Sequence, residues 1–221
     1  LVYLQQQPSF SVTLACQITH IAQQNGSWQL HSNSGIHTAE QLVLACGSKL
    51  DMFSQSAMLP LNKIRGQVSH VLNAAMAPLK TVLCHKGYIT PQWQGLHCVG
   101  ATFDRGATEP FISETDNSDN LQLVQQQLQQ PEWFAPSVVV GAAAAFRATL
   151  PDHLPLVGQT AAADNLYLIG GLAARGIMLS PLLAEVLACQ ICSEPLPLSV
   201  QLCQRLTPNR FQTTAEAQEL A

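Results

Sequence analysis

The stretch 165-NLYLIGGLAARGIMLSPLLAEVLA-188 decides the fold of this chain. Its opening residues, Leu166 to Ile169, form a short apolar run that predicts a buried strand. Two glycines follow and let the backbone turn sharply as it leaves the strand. From Ile177 to Ala188 most positions are apolar, which predicts a helix, and Pro181 lies close enough to its start to be tolerated. The stretch therefore predicts a strand–turn–helix unit.

This unit places Arg175 and Gly176 at the amino end of the predicted helix. Such an end presents unpaired amide groups and a partial positive charge, and it favours an anionic or electron-rich ligand. The glycine spacing, GGxxxxG, differs from the dinucleotide fingerprint GxGxxG. Taken alone, the pattern fits either a cofactor cradle or an ordinary tight turn between a strand and a helix.

Composition limits the class of protein. The chain has 221 residues, of which 47% are hydrophobic, so it can bury a sizeable core. Only 11% are charged and the net charge is -4, which excludes the basic patch of a stand-alone nucleic-acid binder. Seven scattered cysteines, an odd number, argue against a disulfide scaffold and for a reducing compartment, so we expect the cytoplasm. No signal peptide or unbroken apolar span is visible, and we expect no membrane segment.

The rest of the chain is rich in strand signals. Asn25-Gly26 predicts a hairpin between strands at 11–21 and 28–31, and the apolar run 41–45 predicts a strand that ends at Cys46-Gly47. Proline and glycine punctuation separates further strand-like runs at 66–72, 81–84, 88–90, 97–103 and 138–147, with a helix predicted at 114–130. These runs predict an antiparallel sheet. The segment from 147 to 158 is expected to be a rigid loop or strand end, and the tail beyond Pro195 to pack loosely.

Four separated signatures carry a resemblance to a known family. They are 43-VLACG-47, 59-LPLNKIRGQVSH-70, 147-RATLPDHLPLVG-158 and 170-GGLAARGIMLSPLLAEVLA-188. In this order and spacing they resemble the FAD-dependent amine oxidoreductases of the D-amino-acid oxidase and glycine oxidase superfamily. One branch is resembled in particular, the C-terminal oxidoreductase domains of bifunctional enzymes that make 5-methylaminomethyl-2-thiouridine in tRNA. The motifs that carry this are RGQVSH at 65–70, GYITP at 87–91, DHLPLVG at 152–158 and PNR at 208–210.

The resemblance implies a mixed α/β (α+β) chain in which a partial FAD-binding domain of the D-amino-acid oxidase type is interleaved with an antiparallel-sheet substrate domain. On this basis residues 1–58 end the first FAD-domain segment and 59–146 form the substrate domain. Residues 147–200 return to the FAD domain, and 201–221 form a C-terminal tail.

The family's strand–GxGxxG–helix unit, which holds the FAD pyrophosphate, does not occur in this sequence, nor does the methyltransferase domain of the branch. We therefore expect this chain to be the C-terminal part of a longer protein that supplies both. In that protein the substrate would be tRNA. Because this region is acidic, we expect the basic surface for tRNA to lie mainly in the missing part.

The implied reaction removes the carboxymethyl group of 5-carboxymethylaminomethyl-(2-thio)uridine and leaves 5-aminomethyl-(2-thio)uridine, with FAD as the cofactor. Two alternatives stay open. One is an FAD-dependent oxidase of free glycine or sarcosine. The other is a non-catalytic fragment that serves as a binding or interface module.

The resemblance also implies catalytic residues. Arg147 would pair with the substrate carboxylate, since its planar fork can donate two parallel hydrogen bonds; a structural ion pair with Asp152 or another acid is the alternative. Tyr88 would close the substrate pocket, unless it is simply a half-buried sheet tyrosine. Arg175 would add charge near the flavin or contact the substrate, unless it is a surface arginine. We expect Arg147 and Arg175 to flank one cavity.

A larger set of residues is expected to line the cofactor. It comprises Ile18, Cys46, Gly47, Arg65, Gly66, Gln67, Gly171, Leu172, Arg175, Gly176, Ile177 and Met178. No metal site is expected, because the lone Cys189-x-x-Cys192 pair has no second pair at suitable spacing. His70, His85 and His153 are interpreted as packing or loop histidines.

Overall fold

The structure, a computed structural model, describes residues 2–129 and 131–211. The chain divides into two compact units, each assembled from segments that are distant in sequence. Unit 1 contains residues up to Leu59, then Leu156–Gly170, then residues from Pro181 onward. Unit 2 contains Pro60–Pro155 and Gly171–Ser180. The sequence prediction puts the divisions at 58/59, 146/147 and 200/201.

The first segment of unit 1 forms a short helix and four strands. They are α1 (Val2–Gln5), β1 (Ile18–Gln24), β2 (Ser27–Ser32), β3 (Gly35–Ala39) and β4 (Leu42–Leu44). The first three strands form an antiparallel sheet in the order β1-β2-β3, with Ile21 and Trp28 in the core. The hairpin predicted at Asn25-Gly26 is confirmed, although β1 begins later than predicted. A 3-10 helix, Gly47–Met52, follows β4.

Unit 2 is built on a five-stranded antiparallel sheet. Its elements are β5 (Asn62–Leu72), β6 (Leu83–Cys84), β7 (Tyr88–Ile89), β8 (His97–Gly100), α2 (Glu114–Gln125) and β9 (Val138–Thr149). The strand order is β6-β7-β8-β5-β9, which confirms the predicted antiparallel sheet. The core of this unit includes Val71, Ile89, Val99, Val124 and Phe134. Residue 130, at the end of the predicted helix, lies outside the described residues.

The chain then returns to unit 1. It forms β10 (Leu156–Gln159), β11 (Leu166–Gly170), α3 (Gly176–Cys192) and α4 (Val200–Leu206), and the first residues of α3, up to Ser180, are assigned to unit 2. β11 pairs antiparallel with β10 and parallel with β4, so this small sheet is mixed. The prediction of a loop or strand end for Arg147, Asp152 and His153 agrees with the structure, since Arg147 lies near the end of β9 and the other two lie in the turn that follows. Residues 156–158, at the end of the same segment, form a strand that pairs with β11.

The first part of the predicted tail is helical, and its loose packing agrees with the prediction, since α4 buries none of its residues. Ser199 accepts a hydrogen bond from the Leu202 amide and begins α4, and Asn209 binds the amide of Ala161. These polar contacts order the segment without an apolar repeat, so the periodicity of the sequence gives no signal. Residues 212–221 of the predicted tail lie outside the described residues.

One helical segment, Ala173–Cys192, is long and apolar enough by length and composition to cross a membrane. The sequence prediction had counted unbroken apolar residues and found no such span. A mostly buried core helix of a soluble protein passes the same test, whereas 22% of the most apolar window of this helix is buried inside the protein. A single helix of this kind is weak evidence for a membrane segment.

Candidate active site

The sheet of unit 2 has two chemically different faces. Side chains alternate along a strand, so residues opposite one another on paired strands share a face. On the register Arg147 lies opposite Ile64, Gly100 lies opposite both Val68 and Tyr88, and Cys98 lies opposite His70. We call this side of the sheet the open face. This face carries Arg147, Tyr88, Cys98, His70 and Gly66.

The other face carries a buried polar network beneath α2. Arg65, which is only 1% exposed, forms an ion pair with Asp116 and donates to the carbonyl of Phe111. Gln67 donates to Asn117 and accepts from Arg65. Both residues were expected to line the cofactor. The structure instead commits their side chains to partners inside unit 2, and of the RGQ segment only Gly66 lies on the open face.

Arg147 is held by packing and not by a carboxylate. Its guanidinium carbon lies 4.5 Å from the centre of the Phe103 ring. A Cβ at Gly66 would lie 3.5 Å from that carbon and 3.1 Å from the Thr102 carbonyl, so the glycine makes room for the arginine. Across residues 2–129 and 131–211, no carboxylate forms an ion pair with Arg147. The alternative of an ion pair with Asp152 is therefore not what the structure shows.

Tyr88 and Cys98 are neighbours on the open face, and the charge of Arg147 acts on Tyr88. Burial raises the pKa of the Tyr88 phenol and the Cys98 thiol raises it further, whereas the positive charge of Arg147 lowers that pKa. Burial also raises the pKa of the Cys98 thiol, and a hydrogen bond from Tyr88 lowers it. The Tyr88 phenol and the Cys98 thiol are consequently neutral near pH 7. The Arg147 guanidinium contributes a positive charge to the open face.

A groove of ≈ 560 Å³ lies beside Arg147, wholly within unit 2. It is lined by Arg147, Ala173, Ala174, Arg175, Gly176, Ile177 and Met178. The structure thus brings Arg147 and Arg175 to one cavity, as the sequence led us to expect. The chain enters the groove through Gly171, whose φ of +64° is a left-handed conformation that favours glycine.

The groove contains the start of a helix. A 3-10 turn, Ala173–Arg175, leads directly into α3, so helical backbone begins earlier than the predicted Ile177. Leu172 offers no side-chain cap, and the first turn of α3 contains no acidic residue. Ile177 is 96% exposed and Met178 is 67% exposed, so two apolar side chains stand open beside two arginines. This combination suits a ligand that is both aromatic and electron-rich.

The other expected cofactor residues belong to unit 1. Ile18, at the start of β1, lines a second groove of ≈ 580 Å³ together with Lys49 and Met52. Cys46 is exposed and immediately precedes the 3-10 helix that begins at Gly47. Their role toward a cofactor stays a proposal.

Phe103 is a site residue that the sequence reasoning missed. Simple alternation along the predicted strand 97–103 would place Phe103 on the buried face with Val99. In the structure β8 ends at Gly100, and pairing with β5 resumes at a bridge between Asp104 and Arg65. This break shifts the alternation by one residue and turns Phe103 toward Arg147. The small residues Gly100 and Ala101 indicate in the sequence where the strand is interrupted, but they do not predict the face of the sheet on which Phe103 then lies.

The histidines and cysteines form no evident metal centre. Within the described ranges, no group of three or more His, Cys, Asp or Glu side chains is arranged to hold a metal ion. All seven cysteines are free. His85 and His153 are exposed, whereas His70 is half-buried on the open face.

Comparison with known proteins gives consistent matches along most of the chain. The sequence profile of a family described as FAD dependent oxidoreductase (DAO) matches residues 11–190. The tRNA 5-methylaminomethyl-2-thiouridine biosynthesis bifunctional protein MnmC of Idiomarina loihiensis is 37% identical over 192 residues, which is 85% of this chain and 31% of that protein. The protein of the same name from Aeromonas hydrophila is 35% identical over 227 residues, covering 90% of this chain and 34% of that protein. The chain spans about a third of the length of these relatives.

Solved structures share the fold at low sequence identity. Glycine oxidase from Geobacillus kaustophilus is similar with a TM-score of 0.74 and 21% identity, over 85% of this chain and 51% of that chain. L-Proline dehydrogenase from P. horikoshii is similar with a TM-score of 0.75 and 15% identity, over 90% and 54%. The predicted fold class is confirmed by these likenesses.

Proposed function

This chain belongs to the family of FAD-dependent oxidoreductases, and we propose that it forms the amine-oxidising region of a tRNA-modifying enzyme. The proposed reaction converts 5-carboxymethylaminomethyl-(2-thio)uridine into 5-aminomethyl-(2-thio)uridine and takes place in the cytoplasm. One observation carries the proposal. A half-buried arginine, which has no carboxylate partner among the residues that the structure describes, shares a groove with an uncapped helix start.

The groove has the chemistry that a flavin ring requires. The first amides of the helical segment, the positive end of its dipole and Arg175 favour the negative charge of a reduced ring, while Ile177 and Met178 offer apolar contact. The residues that would hold the ring are Gly171, Leu172 and Arg175 through Met178. When bound, FAD would accept the hydride that leaves the substrate methylene carbon.

The open face supplies what the substrate requires. Arg147 would bind the carboxylate of the carboxymethyl group in a two-pronged hydrogen bond, which fixes the adjacent methylene carbon. Tyr88, neutral near pH 7, would close the pocket with its hydroxyl. Loss of the hydride from the methylene carbon and of the N–H proton to solvent turns the substrate C–N bond into an imine. Addition of water and cleavage of that bond then release the primary amine and glyoxylate.

Binding of tRNA is assigned to the complete protein. The 221 residues contain 10 Lys and Arg against 14 Asp and Glu, which gives little attraction for a polyphosphate. We propose that the part of the complete protein outside these 221 residues supplies most of the basic surface. A comparison of tRNA affinity between this chain and the complete protein tests the point, and equal affinities would contradict it.

The function is tested with the complete, flavin-loaded protein. Purified protein is given tRNA bearing the carboxymethylaminomethyl group, and both glyoxylate release and the modified nucleoside are measured by mass spectrometry. We expect stoichiometric glyoxylate and aminomethyl nucleoside. The variant Arg147→Lys keeps the charge but loses the fork, and kcat/KM should fall roughly tenfold to a hundredfold. Arg105→Lys, on an exposed loop, is the matched control and should retain activity.

The alternatives give different results in the same assay. Turnover of free glycine or sarcosine without turnover of the tRNA would favour an amino-acid oxidase. Protein that neither retains FAD nor oxidises any of these amines would favour a binding or interface module.

A further inference from the structure

We propose that Phe103 is a positioning residue that holds the Arg147 guanidinium flat across Gly66, in the orientation that receives a substrate carboxylate. This inference rests on the proposed role of Arg147 as the carboxylate-binding group. Phe103 does not itself react, and it would act on the substrate only through the arginine.

Two groups border the Arg147 guanidinium, the ring of Phe103 and the backbone of Gly66. The Phe103 ring centre is 4.5 Å from the guanidinium carbon, a distance at which the ring face attracts a cation. Gly66 also borders the guanidinium, close enough that a Cβ would lie 3.5 Å from both Cζ and Nη2. The arginine is therefore confined by an aromatic ring and by backbone that lacks a side chain. Two neutral surfaces orient the group without neutralising it.

This arrangement differs from the usual way to hold an arginine. Arg65, on the opposite face, also lies over an aromatic ring, with its guanidinium carbon 4.2 Å from the centre of Phe111. Arg65 is in addition paired with Asp116, so its charge is already satisfied. Arg147 has the ring but, within the described part of the chain, no acidic partner. A carboxylate that arrived at Arg147 would complete the set of contacts that Arg65 already has within the protein.

The exposure of Phe103 supports a role beyond core packing. Its side chain is 62% exposed, so the ring contributes little to the core of unit 2. Removing the ring should leave the fold intact and free the guanidinium to adopt other rotamers. The substrate carboxylate would then have to restore the productive one, which raises KM.

The test is a double-mutant cycle in the complete, flavin-loaded protein, with the nucleoside 5-carboxymethylaminomethyluridine as the probe. KM and kcat are measured for the wild type, Phe103→Leu, Arg147→Lys and the double variant. We expect Phe103→Leu to raise KM about two- to fivefold with little change in kcat, and Phe103→Tyr to restore the wild-type value. In the Arg147→Lys background, Phe103→Leu should add nothing further.

Phe111→Leu is the matched control, since it removes the other ring that lies over an arginine. It should leave KM unchanged. An equal rise in KM for Phe111→Leu, or an additive rise in the double variant, would overturn the proposal.

A readout independent of turnover is the rate at which phenylglyoxal modifies Arg147, followed by peptide mass spectrometry. Phe103→Leu should speed this modification and Phe111→Leu should not. Equal rates in the wild type and in Phe103→Leu would contradict the positioning role even if KM rises. If the wild type oxidises no carboxymethyl amine, the proposed function fails, and the labelling rates still decide whether Phe103 holds Arg147.

Discussion

Arg65 of β5 and Asp116 of α2 form an ion pair 2.5 Å long, and this contact ties the helix to the underside of the sheet. Arg65 is almost fully buried and Asp116 is 18% exposed. The remaining donors of Arg65 bind the Phe111 carbonyl and the Gln67 side chain. Removal of the carboxylate would leave a buried charge without its counterion, which is far costlier than loss of a surface pair.

We therefore predict that Asp116→Asn lowers the free energy of unfolding by about 3 kcal/mol, measured by urea denaturation. Asp119→Asn, on the same helix but exposed, is the control and should change it by about 0.5 kcal/mol or less. Similar losses in the two variants would show that the pair with Arg65 has no special weight.

Gly171 gives a second stability prediction, because two constraints meet at this residue. Its φ is +64°, and a Cβ there would lie 2.5 Å from Cδ1 of Leu150. Gly95 has a similar φ of +82° with nothing within 4 Å, so it isolates the backbone term. Gly95→Ala should cost about 1 kcal/mol, and Gly171→Ala about 2–4 kcal/mol, because overpacking adds to backbone strain. Equal losses of unfolding free energy would mean that Leu150 moves aside freely.

The strands and helices around these residues were easier to predict from the sequence than the side-chain contacts that the residues make. The glycine pair at 170–171 and the apolar runs on either side were enough to predict β11 and α3. The same pattern could not predict that Arg65 is buried and paired on one face of the sheet, whereas Arg147, on the adjacent strand, lies on the open face. That outcome depends on the register between β5 and β9, which places Ile64 opposite Arg147 and Phe146 opposite Arg65. Register is a property of paired strands, and no single segment encodes it.

The site was predicted in part for the same reason. Arg147, Arg175 and the residues from Gly171 to Met178 were named from motifs, and the structure gathers most of them at one groove. Phe103 carried no motif, and its direction depends on the break after Gly100. The network that occupies Arg65 and Gln67 could not be foreseen either, since its other members come from α2, some 50 residues further along the chain.

The cysteines offer a test of the electrostatics by their reactivity. Hydrogen bonds from Ser32 and Ser34 lower the pKa of the Cys16 thiol, whereas burial raises the pKa of Cys98. Since the thiolate is the reactive form, Cys16 should react faster with iodoacetamide than Cys98 at about pH 8. Peptide mass spectrometry of the partly labelled protein gives both rates.

Substitution of each hydrogen-bond donor should move the pH–rate profile of the cysteine that it contacts to higher pH. Ser32→Ala should move the pH–rate profile of Cys16 to higher pH and leave that of Cys98 unchanged. Tyr88→Phe should move the profile of Cys98 upward, because the hydrogen bond from Tyr88 lowers that pKa. A faster reaction at Cys98 than at Cys16 in the wild type would contradict the assigned causes.

Tyr88 provides the last test, because its ionisation reports on the position of Arg147. The folded-state pKa of the phenol is raised, with burial as the main cause, and Arg147 opposes the rise. Arg147→Met should therefore raise the pKa of Tyr88 further, as seen in a spectroscopic tyrosinate titration with Tyr88→Phe as the blank. Arg175 lines the same groove as Arg147 but does not affect the pKa of Tyr88, so Arg175→Met should leave that pKa unchanged.

The raised pKa of Tyr88 also makes stability depend on pH. Because a raised pKa favours the protonated phenol in the folded state, the contribution of Tyr88 to stability is present below about pH 10 and is lost as the pH rises through the folded-state pKa. The Tyr88→Phe variant should consequently lose less stability than the wild type above about pH 10. If Arg147→Met leaves the pKa of Tyr88 unchanged, the guanidinium lies too far from the phenol to affect it, which would contradict its position on the open face.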